Sequence, residues 1–134
     1  MPPNLRLTVL DGDMAIVQMA SDAPWPAWLP TEGFVSVTRT EAELSIVCAS
    51  ESVPDGSIDG ANVAETGWSM IRFEGPFAFD LTGVLASVAS PLAAAGIGIF
   101  ALSTFDTDYV LIKESNLDAA IDTLKAAQHI VTVG

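Results

Sequence analysis

Apolar and polar positions alternate with a period of two along most of this chain, interrupted twice by stretches with a helical period. Leu5 to Leu10 and Met14 to Met19 read as two strands around Asp11-Gly12, a dipeptide that tolerates positive φ at both centres of a tight hairpin turn. Phe34 to Thr40 and Glu43 to Ala49 read as two more. Between these pairs, Pro24, Pro26 and Pro30 allow about one helical turn at most, since each proline fixes φ and lacks a donor. Glu51 to Gly67 mixes Pro, Gly, Ser, Asp and Asn without a period and reads as a linker.

Beyond that linker the pattern is more regular. Trp68 to Glu74 is a strand, Gly75-Pro76 punctuates it, and Phe77 to Asp80 continues it. Thr82 is placed to cap a helix with Leu85, Val88, Ala89 and Leu92 on one face, ending at Gly96 and disturbed by Pro91. Strands follow over Ile97 to Ser103 and Asp108 to Lys113. Ser115 then caps a second helix with the stripe Leu117, Ala120, Ile121 and Leu124, and a last strand covers His129 to Val133. The order β-α-β-β-α-β predicts an α+β fold, a ferredoxin-like antiparallel sheet with helices on one face.

The two halves match each other. Val35/Phe100, Val37/Leu102, Leu44/Tyr109 and Ile46/Leu111 are apolar in both, Thr38/Ser103 hydroxylic, and Glu41/Asp106 and Glu43/Asp108 acidic, all at a spacing of sixty-five positions. A repeat of that length predicts a duplicated unit, here residues 1–62 and 63–134, with the first degenerate because it holds Trp25-Pro26-Ala27-Trp28 in place of a proper first helix and has no equivalent of the second helix. In this register Val35, Val37, Leu44 and Ile46 form one inner face, and Phe100, Leu102, Tyr109 and Leu111 the other. Ile97, Ile99, Ala101, Val110 and Ile112 then make the outer face of the second half apolar as well, so that face needs a cover, either the first half or a second copy.

Composition narrows the function. Half of the 134 residues are apolar, yet no run reaches the length of a membrane span. The excess predicts burial in a core or self-association. Five basic residues against seventeen acidic ones give a net charge of −12, which repels a phosphate backbone and excludes nucleic acid. Cys48 is alone, so it forms no intrachain disulfide, and the N-terminus lacks a signal pattern, which predicts a cytoplasmic protein. Asp106 and Asp108 share a strand face with no third acid at metal-ligand spacing, so no metal or cofactor is expected. His129, after the second helix, is expected to meet that helix's C-terminal dipole. No nucleophile elbow, phosphate loop or Cys-His pairing is present.

Thr38-Arg39-Thr40 with Glu43-Leu44-Ser45-Ile46-Val47, the run Leu81-Thr82-Gly83-Val84-Leu85-Ala86, and Ser103-Thr104-Phe105-Asp106-Thr107-Asp108-Tyr109 together resemble the ACT domain family, in its tandem, CASTOR-like type. The resemblance covers nearly the whole chain and implies a non-catalytic regulatory protein that binds an amino acid or other small effector at an ACT-ACT interface. It places the ligand at the first strand-to-helix turn, Asp80, Leu81, Thr82, Gly83 and Val84. The physics concurs, because the first N–H groups of a helix lack internal partners and suit a carboxylate. Asp106 and Asp108 would take the ammonium group, with Ser103 and Thr104 adding hydroxyls. A homodimer, and a partner enzyme that reads the bound state, complete what the resemblance implies. The alternative is a structural or interaction module whose apolar sheet face builds an oligomer or docks a partner enzyme. Taken singly, Thr82 as a cap and the aspartates as turn residues have structural readings too.

Overall fold

Leu5, Leu7 and Val9 are buried while Arg6 is exposed, the alternation of a strand with one dry side. In the computed structural model, which describes residues 4–54, 63–78 and 80–134, that strand is β1 (Arg6–Val9). The others are β2 (Met14–Met19), β3 (Ser36–Arg39), β4 (Leu44–Ala49), β5 (Val63–Phe73), β6 (Phe100–Ser103), β7 (Asp108–Lys113) and β8 (Ile130–Val133), with helices α1 (Val84–Ala94) and α2 (Leu117–Ala126). The fold is the α+β, ferredoxin-like arrangement that the pattern predicts.

The chain forms two compact units, Gly12–Gly67 and a discontinuous one of Met1–Asp11 with Trp68–Gly134. This division moves the first eleven residues out of the expected 1–62 segment. The reason is strand pairing. β1 pairs antiparallel with β5 (Leu7 opposite Phe73) and parallel with β8 (Leu7 opposite Val131), so the N-terminal strand is inserted between the first and last strands of the β-α-β-β-α-β unit. The expected β1–β2 hairpin around Asp11-Gly12 does not form. A two-residue turn of that type needs positive φ at both centres, and only Gly12 (φ 97°) has it.

In the discontinuous unit the strand order is β6-β7-β5-β1-β8. Both helices pack on one face over Leu7, Val9, Ile71, Phe73, Val110 and Ile112, contributing Val84, Val88, Leu92, Ala120 and Leu124. α1 ends in a Schellman turn: Gly96 (φ 74°) donates to Ala93 O and Ile97 N–H to Leu92 O, as a glycine at that place predicts. α2 ends the same way, but with Gln128 at φ 75°, its N–H donating to Lys125 O and that of His129 to Leu124 O.

Neither expected helix cap is used. α1 begins after Gly83 (φ 81°) rather than at Thr82, and α2 begins after Asn116, preceded by a short 3-10 turn over Glu114–Asn116 that contains Ser115; neither helix has a side-chain cap. Two further expectations change. β5 starts at Val63, inside the expected linker, whose residues 55–62 lie outside the described residues. Phe77 and Ala78 are not strand, Asp80 lies in a turn, and Phe79 is outside the description.

In the Gly12–Gly67 unit β4 pairs with β2 and β3, and Ala15, Val17, Met19, Leu44, Ile46 and Cys48 form its core, with Trp28 and Leu29 packed against it. Its hairpin repeats that of the other unit, at a spacing of sixty-four: Ser36–Arg39 and Phe100–Ser103, Leu44–Ala49 and Asp108–Lys113, then a 3-10 turn at Ser50–Ser52 and Glu114–Asn116. The strand before the hairpin also corresponds, since Met14 lies opposite Ala49 as Trp68 lies opposite Lys113. Between first strand and hairpin the Gly12–Gly67 unit is ten residues shorter, about the length of α1.

The expected spacing of sixty-five is thus off by one, and a one-residue slip exchanges the faces of a strand. Ile46 and Cys48 correspond to Val110 and Ile112, all four in their unit's core, whereas Leu111 faces away from the helices. The face taken as outer is the helix-covered one. Leu111 and Met70, on the other side, are also fully or almost fully buried, so the sheet is dry on both faces here. The slip also dissolves the acidic matches: Asp106 and Asp108 correspond to Ala42 and Leu44.

Candidate functional site

The β6–β7 hairpin and the stretch from β5 to α1 are tied together by their backbones. Phe77 N–H donates to Asp106 O at 2.8 Å, and Thr107 Oγ1 donates to Phe73 O at 2.6 Å. Gly75 permits this approach. A Cβ there would lie 3.0 Å from Asp106 O and 3.1 Å from Thr107 Cβ. The hairpin itself closes through Thr104 N–H to Thr107 O (2.8 Å), and Ser103 Oγ donates to Asp108 Oδ1 at 2.6 Å. Where the stretch enters, Arg72 Nε donates to Glu74 Oε2 at 2.8 Å; that hydrogen bond, and one from Thr8, hold the exposed Glu74 carboxyl below the usual carboxylate range.

Above these ties a cavity of about 280 Å³ opens, lined by Phe77, Ala78, Leu81, Val84 and the continuous run Ser103 to Asp108. Six of the nine expected ligand residues meet there: Leu81, Val84, Ser103, Thr104, Asp106 and Asp108. Asp80 and Thr82 are exposed on the turn and do not line it, and Gly83 caps α1 and borders a second cavity instead. Phe77, Ala78, Phe105 and Thr107 were not expected. The strand reading of Phe77 to Asp80 hid the first two, although the Gly75-Pro76 break already marked the end of the strand. Val84 opens α1 in the cavity wall, and α1 has neither a side-chain cap nor an acid in its first turn, so the positive end of its dipole is uncompensated by its own sequence. The facing wall carries two carboxylates and three hydroxyls.

The second cavity, about 290 Å³, is lined by Gly83, Ala86, Ser87, Ser90, Pro91, Ala127 and His129. His129 does not serve α2's dipole as expected. Its Nδ1 accepts from Leu5 N–H (3.0 Å), which fixes the proton on Nε2, and Nε2 then donates to Ser87 O (2.8 Å). Ser87 O is the carbonyl that Pro91, lacking an N–H, leaves unpaired in α1. Pro91 and His129 therefore form a structural clip. Among the described residues no group of three or more His, Cys, Asp or Glu is placed to hold a metal, and no helix is long and apolar enough to cross a membrane.

The unit is thus a ferredoxin-like sheet with a small-molecule-sized cavity between the strand-to-helix turn before α1 and the following hairpin. The chain belongs to the ACT domain family, whose model matches residues 63–126; a second model, described as an N-terminal domain, matches residues 12–56. Protein Atu0741 from Agobacterium tumefaciens is 42% identical, with 98% of this chain and 95% of that one covered and a TM-score of 0.88. The human cytosolic arginine sensor for mTORC1 subunit 1 is 32% identical over 114 residues, covering 83% of this chain and 34% of that protein. The chain thus spans about a third of the length of the curated relatives it matches. The regulatory subunit of aspartate kinase from Thermus flavus shares the fold, with a TM-score of 0.60 at 12% identity over 94% of this chain and 97% of that one.

Proposed function

We propose that this protein is a non-catalytic regulatory module that binds one amino-acid-sized effector in the cavity between α1 and the β6–β7 hairpin. The observation that carries this reading is the convergence of Leu81 and Val84 with Ser103, Thr104, Asp106 and Asp108, two segments some twenty residues apart in sequence, on one cavity of about 280 Å³. That volume sits at the small end of the roughly 300–1,000 Å³ common for ligand sites, which suits a single metabolite. A zwitterion fits its polarity: carboxylate toward the uncapped start of α1, ammonium toward Asp106 and Asp108. The likeness to an arginine sensor, 32% identical over 114 residues, supports an amino acid.

Leu81 and Phe105, 50% and 78% exposed at the cavity, supply apolar surface for a second copy to close the site, so the module works as a homodimer. Ligand-favoured packing of that dimer is what a partner enzyme would read, in the cytoplasm. The test is a thermal-shift screen of the twenty amino acids. One or a few should raise the midpoint saturably in the intact chain and much less in Asp106→Asn. No response at millimolar concentration rejects the reading.

A second reading has its own support. Ile130 and Val133 are 52% and 70% exposed on β8, the edge strand of its unit. An unguarded apolar edge favours strand addition and oligomer formation without any ligand. It predicts self-association that no amino acid alters.

A further inference from the structure

The two hairpins correspond residue for residue, so the counterpart of the ligand cavity in the Gly12–Gly67 unit can be read directly. Ser103, on the cavity wall, corresponds to Arg39, and the residues two and four beyond the first strand, Gly75 and Phe77, correspond to Ser21 and Ala23. In the discontinuous unit hairpin and post-strand stretch are joined by the backbone bond from Phe77 N–H to Asp106 O, and Ser103 turns back onto Asp108. In the other unit the same two segments are joined by a side chain. Arg39 Nη1 donates to Ser21 O and Nη2 donates to Ala23 O (2.8 Å). The carboxylates Asp106 and Asp108 are replaced there by Ala42 and Leu44, and two converging carbonyls take the guanidinium fork.

We propose that this carbonyl pair is a guanidinium-binding site whose occupant is the chain's own Arg39. In one unit the exposed Arg39 side chain bridges the hairpin and the post-strand stretch, and in the other the same two segments border an open cavity. A fork reaching two carbonyls is a geometry that a lysine ammonium, a single point charge, does not reproduce. One consequence rests on the function proposed above: the effector binds once per chain, not twice.

Removing the side chain should leave a vacancy for a small guanidinium ion. In full-length Arg39→Ala, methylguanidinium at about ten times its dissociation constant should raise the thermal midpoint by about 5 °C and move the amides of Ala20–Ala23 and Thr40–Glu43 saturably. Wild type should show neither effect, and methylammonium should move the variant far less. An equal response of wild type and variant, or no shift at Ala20–Ala23, overturns the proposal. If Arg39→Ala does not fold, the wild-type protein decides: bridged Nη protons of Arg39 give separate signals at low temperature, and a single averaged signal overturns the site. None of these readings uses an effector, so a failed amino-acid screen and a failed rescue are distinguishable.

Discussion

Replacing His129 with Phe keeps a ring in a 5% exposed position and removes both nitrogens. Leu5 N–H then loses its acceptor, and Ser87 O loses the donor that stands in for the N–H that Pro91 lacks. An unsatisfied buried polar group costs about 1–3 kcal/mol, so His129→Phe should destabilise by about 2–5 kcal/mol, with some relief if water reaches either group. The clip makes a sharper demand than a large loss. Pro91→Ala restores an amide donor for Ser87 O and should recover more stability beside His129→Phe than in wild type, where that carbonyl is already engaged. The assay is urea unfolding of both single variants and the double variant, read as midpoints at constant m. A coupling of about 1 kcal/mol is expected. If the two effects add to within about 0.5 kcal/mol, Ser87 O is not shared by the two residues and the reasoning fails.

Three other outcomes follow from the same contacts. Gly75→Ala drives a methyl against Asp106 O and Thr107, and should destabilise by about 1–3 kcal/mol while blunting any effector-induced thermal shift, because the wall it displaces lines the cavity. A variant of wild-type stability with an unaltered ligand response contradicts this. Gln128→Gly relieves a left-handed residue in the turn after α2 and should stabilise by about 0.5–1 kcal/mol in urea titrations, whereas Gly96→Ala in the matching turn after α1 should cost a similar amount; the opposite signs would exclude the turns as described. Burial pushes the Cys48 thiol up from its ordinary value, so iodoacetamide at mildly alkaline pH should label it only as fast as the protein unfolds. Labelling of the folded chain at the rate of a free thiol would contradict the core placement.

Much of the architecture was legible because local chemistry and packing agree. Gly96 stops α1 where the pattern ends, and Leu85 to Leu92 and Leu117 to Leu124 give their helices one apolar side. What misled was periodicity without an anchor. Tyr109 to Ile112 is apolar at every position and so does not mark its own faces, while the acidic matches favour sixty-five; the pairing of Ser103 with Asp108, as Arg39 pairs with Leu44, fixes sixty-four. The place of β1 was also hidden, since insertion between β5 and β8 is a long-range choice that the Asp11-Gly12 dipeptide does not record. At the site, the hairpin acids and hydroxyls were recognisable from residue type. Phe77 and Ala78 required knowing that the chain leaves the sheet after Phe73 and is pulled back by Asp106 O. The link from Pro91 through Ser87 to His129 joins residues far apart in sequence, and no pattern of spacing marks it.

The central claim is that a small effector occupies the cavity beneath α1, and amide chemical-shift mapping with an amino acid identified by the thermal screen tests it most directly. Saturable shifts confined to Phe77, Ala78, Leu81, Val84 and Ser103 to Asp108, reaching their end point at one equivalent per chain, are the predicted result. Shifts scattered over the surface, or centred on β8 while that cavity stays silent, would contradict it.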